Sequence, residues 1–130
     1  MNKLLRLGII VMLSSTGAQA ADLPIEINAT QMAARSASRN VFRIEDIHQR
    51  MQGAINCLVG PKGEGFDPSA PNPCAASGNG LIPDTAGAEK KSQYLEVVTK
   101  LKSGLAATER AAAMQIALEA ADEIVSISGN

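Results

Sequence analysis

Few side chains in this chain can do chemistry, and their spacing narrows what they could do. There is one histidine, His48, and Met51 follows three residues later. On a helix that spacing sets an imidazole and a thioether on one face. Such a pair suits copper, so a copper-type metal site through His48 and Met51 is one candidate. The competing reading is an edge histidine beside a methionine that fills space. Met32 and Met114 have no spacing that joins them to the pair. Arg35, Arg39 and Arg43 recur every fourth residue, with Arg50 near the same face. Aligned on a helix they make a candidate surface for an anionic partner. Asp46, set between Arg43 and Arg50, takes up part of that charge. Asp67, Asn72, Asn79 and Asp84 offer oxygens among glycines, as calcium loops do. The acids do not follow the order of an EF-hand, and these residue types also build turns. Catalysis is not expected. No nucleophile motif surrounds any serine, and the neighbours Glu45 and Asp46 diverge by about 100° on a helix. A small exported enzyme is kept only as the weakest alternative, and no cofactor is expected.

Cys57 and Cys74 are the only cysteines. Their environment depends on the N-terminus. Lys3 and Arg6 precede and flank the start of an apolar run from Leu7 to Leu13, and Ala18-Gln19-Ala20 follows. A basic start, a short apolar middle and an Ala-x-Ala end describe a secretory signal peptide. Residues 1–20 are therefore expected to be removed after Ala20. The apolar run is too short to span a bilayer, which takes roughly 20 residues, so no stable membrane anchor is expected. The chain carries 12 Lys and Arg against 13 Asp and Glu, and loss of Lys3 and Arg6 leaves ten bases and a net charge of −3. That balance does not suit nucleic acid. The location expected is periplasmic or secreted. An oxidising compartment favours a Cys57–Cys74 disulfide over a redox pair, which would usually be Cys-x-x-Cys.

The elements that must position these groups are helical. Residues 21–130 suit one domain, alanine-rich and poor in aromatics, with Phe42, Phe66 and Tyr94 alone. Residues 21–28 read as an extended leader. From Thr30 to Leu58, residues Ala34, Ala37, Val41, Ile44, His48, Met51, Ile55 and Leu58 keep a helical spacing. The stretch from Ser36 to Asn40 has weaker propensity and is the place for a kink or break. Gly60-Pro61 ends this helix. Val59 to Gly87 is rich in Gly and Pro and reads as a long ordered loop. Ala88 to Ser103 is a second helix with Tyr94, Leu95, Val98 and Leu101 on its apolar face, stopped near Gly104. Thr108 starts a third, with Ala113, Ile116, Ala117, Ala120, Ile124 and Ile127 as its stripe to near the C-terminus.

The stretch Asn56-Cys57-Leu58-Val59-Gly60-Pro61, then Phe66-Asp67, Asn72-Pro73-Cys74, Gly78-Asn79-Gly80 and Pro83-Asp84, resembles a loop of small uncharacterised exported bacterial helical proteins. The likeness covers His48 to about Asp84. It implies a helix-loop-helix scaffold with a disulfide and no particular activity.

The expectation is thus an all-α, three-helix domain, a helix and a helical hairpin joined by a long loop, with one disulfide. Its leading function is that of a non-catalytic binding or accessory protein. The partner is a periplasmic protein or a small ligand, met through Arg35, Arg39, Arg43, Phe66, Asp67 and Asn79. The apolar seam of the first helix equally suits a homodimer.

Overall fold

A computed structural model describes residues 22–130; the expected signal peptide and its cleavage site lie outside them. The described chain is all-helical: α1 Leu23–Ser36, α2 Ile44–Val59, α3 Leu81–Asp84, α4 Ala88–Leu105 and α5 Arg110–Ser128. Helices α1 and α4 each pack on α2 and α5, and α2 meets α5 across the middle. The one-turn α3 packs on α1, α2 and α4. No helix among these residues is long and apolar enough to cross a membrane.

Two expectations about the first helix are corrected. The leader is helical, not extended. Asp22 caps it by accepting from Ile25 N at 3.4 Å, and Pro24 sits in the first turn, where its missing N–H costs nothing. The single helix expected over Thr30–Leu58 is two helices. Ser36 and Ser38 hydroxyls donate back to Ala33 O and Arg35 O at 2.7 and 2.8 Å, and Asn40 takes a positive φ of 49°. These local bonds compete with the helix ladder and end it. The apolar spacing nevertheless survives the break. Ala34, Ala37, Val41, Met51, Ile55 and Leu58 are all buried. The turn after Ser36 carries its apolar residues back onto the same core.

The later helices differ from expectation in detail. On α4, Val97 is buried and Leu95 is 52% exposed, so the buried face is rotated from the one expected. Gly104 does not stop α4. It lies inside the helix and is buried, and the Met51 methyl occupies the space a Cβ would need. Glu109, not Thr108, is the N-cap of α5. Ala113, Ala117, Ala120 and Ala121 are fully buried on α5, opposite Ala33 and Ala34 of α1 in the common core. Small side chains on both helices permit close approach, which compensates for a core short of aromatics.

The long loop is ordered by α2. Cys57 and Cys74 form a disulfide with a Cα–Cα distance of 5.2 Å. One residue earlier, Asn56 is fully buried. Its Nδ2 donates to Asp67 O and Pro71 O at 2.9 and 3.0 Å, while its Oδ1 accepts from Asp67 N at 2.9 Å and from Gln52 Nε2 at 3.1 Å. The amide therefore replaces the regular ladder that the loop lacks. Further on, Gly80 crosses Gly60 so closely that a Cβ on Gly80 would stand 2.7 Å from Gly60 N and Cα. Gly80 also has φ 118°, a conformation open to glycine.

Two stability measurements follow from this tether. Replacing both cysteines with serine should lower the unfolding free energy by about 3 kcal/mol, the value for closing a loop of this size, read from urea unfolding. Asn56→Ala leaves the Asp67 N–H and the Pro71 carbonyl without their partner. The expected loss is about 1–3 kcal/mol per stranded group. It should come with faster proteolysis within residues 61–73, and unchanged cleavage there would refute the tether.

Candidate functional site

The expected site residues do not gather in one place. His48 is half-buried, and its Nε2 lies 3.0 Å from Ala107 O, so that nitrogen carries the proton and donates. Met51 is fully buried against Gly104. Each side chain thus ties α2 to the α4 end of the hairpin. Among the described residues no three or more of His, Cys, Asp and Glu gather as a metal-holding group.

The arginines are dispersed by the break after Ser36. Arg35 stays on α1 and pairs with Asp122 of α5 at 2.9 Å. Arg39 lies in the connection, and Arg43 is the N-cap of α2, 3.5 Å from Glu45. They do not form the single helical stripe that their four-residue spacing predicts, because the residues between them are not continuous helix. Phe66 is half-buried against the core. Asp67 accepts from Ser69 N and Oγ at 2.8 and 2.6 Å, and these bonds hold its carboxyl below the usual range. Asn79 donates through N and Nδ2 to the Asp84 carboxylate at 2.7 and 3.2 Å. The Asp67 and Asp84 oxygens are thereby occupied with turn construction, whereas the buried Asn72 Oδ1 has no hydrogen-bond partner.

The structure gathers two other groups. The first is a buried acid. Glu26 of α1 has no exposure, and its Oε1 accepts from Gly80 N at 3.0 Å. Its carboxyl faces that of Asp84 on α3, and its Oε2 has no other partner. Gly78 runs so close that a Cβ there would be 2.8 Å from both Glu26 oxygens. Two carboxyl groups can bond to each other only if one holds a proton. Burial first, then the hydrogen bond and charge of Asp84, push the Glu26 pKa up to about 7; the Gly80 N–H acts in the opposite direction. Sequence reasoning missed this residue, since a leader read as extended gave Glu26 no reason to be inside.

The second is a groove of about 430 Å³ between α1, α2 and the disulfide loop. Ala29, Met32, Ala33 and Ser36 of α1 form one wall, and Pro71 and Pro73 the other. Gly53 forms part of the lining, with the loop lying against it at van der Waals distance: a Cβ there would stand 3.4 Å from Pro71 O. Arg50 is the only charged lining residue. Met32 is 52% exposed. Volume and apolar walls match those of small-molecule sites, which run from about 300 to 1,000 Å³. The sequence signals for it were indirect: an apolar Met32 off the helical seam and two prolines bracketing Asn72.

The buried acid makes stability depend on pH. The folded protein holds the Glu26 proton more tightly than the unfolded chain, whose carboxyl titrates at its ordinary 4.5. The resulting stabilisation is complete below that value and is lost as pH rises through about 7. The lowered carboxyls of Asp67 and Glu119 act in the opposite sense, in a more acidic range. Thermal melts from about pH 5 to about 8 should therefore show a falling midpoint for the wild type. Glu26→Gln keeps an acceptor for Gly80 N and a donor for Asp84, so its curve should be flatter. Equal slopes for the two proteins would refute the shared proton.

No family model, curated protein or solved structure matches this chain.

Proposed function

We propose that this chain is a non-catalytic binding protein of the periplasm or another oxidising exported setting, and that it takes a small apolar ligand in the groove between α1, α2 and the disulfide loop. The observation that carries this reading is the groove itself. A half-exposed methionine and two prolines leave carbon facing water at a concave surface, where an apolar ligand gains by displacing that water. The disulfide supports both parts of the proposal. Cys57–Cys74 suits an oxidising compartment, and it holds the loop that supplies the proline wall. Tethering the wall in advance lowers the ordering cost of binding. The parts of the molecule involved are the loop and the outward face of the first helix. The dispersed arginines and the loop oxygens give less support, because most of them already bond within the fold.

Octyl-chain probes, both neutral and charged, test this by amide chemical-shift changes in the labelled protein. At least one probe should move Ala29, Ala33 and Gly53. Ala29→Phe, which fills the groove from a half-buried helix position, should weaken that binding about tenfold or more, since a filled pocket loses the apolar contact area. Its circular dichroism should match the wild type. Shifts at none of the three positions, or equal binding by a folded Ala29→Phe protein, would remove the groove reading.

A further inference from the structure

The groove is charged at one point, and how Arg50 is held there bears on what the groove binds. Its Nη1 donates to Ser36 O, on the last residue of α1, at 2.8 Å and to Arg39 O, just past the helix, at 3.3 Å. A cation at that helix end is favoured by the helix dipole, which accounts for the placement of the guanidinium. It does not account for the rest of the group. Among the described residues the ion pairs are Arg35–Asp122, Arg43–Glu45 and Lys100 with Glu119 and Glu123, so no carboxylate neutralises Arg50. No acidic residue lines the groove. Only Nη1 of Arg50 is engaged with these residues, which leaves the Nε and Nη2 donors unspent.

Resting on the groove reading, we infer that the ligand is an amphipathic anion, an unbranched or lightly branched apolar chain ending in a carboxylate, with the chain against Met32, Pro71 and Pro73 and the carboxylate on Arg50. The guanidinium has the required geometry. Its planar fork presents paired donors that match the two oxygens of a carboxylate. The backbone bonds on Nη1 fix the group in place, so less side-chain freedom is lost when an anion arrives. The walls supply area for the chain, and the one other polar side chain among them, Ser36, already donates its hydroxyl to Ala33 O. A cationic head would meet Arg50 with like charge, and a neutral head would leave the donors to water.

Octanoate, 1-octanol and octylammonium share one chain and differ in the head, so they separate the two claims. Binding is read from the Ala29, Ala33 and Gly53 amides and from the Arg50 Nε–H resonance. Octanoate should bind wild type about tenfold or more tightly than 1-octanol, as a charge-assisted bond requires, and should shift Arg50 Nε–H. Octylammonium should bind weakest. Arg50→Gln retains a donor for Ser36 O and should bring octanoate down to the level of 1-octanol, with 1-octanol affinity unchanged. Because the comparison of heads on wild-type protein needs no variant, it stands even if the substitution loosens α1. Equal affinity for octanoate and 1-octanol would overturn the carboxylate inference and leave the groove reading intact. Failure of all three probes at the groove amides would remove both.

Discussion

One buried amide and the disulfide beside it hold together the part of this protein that is not helix. Asn56 and Cys57 are consecutive on α2, and both are fully buried. The amide takes the loop at Asp67 and Pro71, and the Cys57 sulfur takes it at Cys74. A stretch of more than 20 residues between α2 and α3 has no regular ladder of its own, and such segments are costly to order. Here the order comes from a helix that is already buried. The amide satisfies backbone groups that water would otherwise have to reach, and the covalent bond reduces the freedom of the unfolded chain. The groove wall at Pro71 and Pro73 lies between these attachments, so its position follows from them.

The far end of the same loop is held by different physics. Gly78, Asn79 and Gly80 pass between α1, α3 and the end of α2, where only glycine fits at the crossing with Gly60. The Glu26 carboxyl accepts the Gly80 N–H and meets Asp84. A buried ionised acid without a cation is costly, and a shared proton removes most of that cost. The first attachment is thus covalent and insensitive to pH, whereas the second depends on a proton. A single loop therefore has one permanent and one titratable fastening. Thr30, one turn after Glu26 on α1, donates its hydroxyl to the Glu26 backbone carbonyl at 2.7 Å and lies 3.7 Å from Cys74 Sγ.

How much of this was legible depended on whether the signal was periodic. The buried stripe of α5 and the seam from Ala34 to Leu58 follow from apolar spacing alone, and that spacing survived even the break after Ser36. The break itself rested on Ser and Asn chemistry, which showed as reduced propensity without saying whether a bend or a stop would result. The expected apolar face of α4 includes Leu95 in place of Val97, although Tyr94, Val97, Val98 and Leu101 keep the i, i+3, i+4, i+7 spacing of the face that is buried. The groove was less legible still. Its walls come from residues far apart in sequence, and none of them is unusual where it stands.

The sequence by itself determined the helical class, the pairing of its two cysteines and the location of the irregular segment. Those follow from local periodicity, from there being only one possible pair, and from glycine and proline density. Tertiary structure alone decided that Glu26 would be inside, that Asn56 would carry a loop, that the arginines would part company and that Arg50 would stand beside an apolar groove. The physical reason is the same in each case. Burial, partnering and concavity belong to several segments at once, and no single segment encodes them.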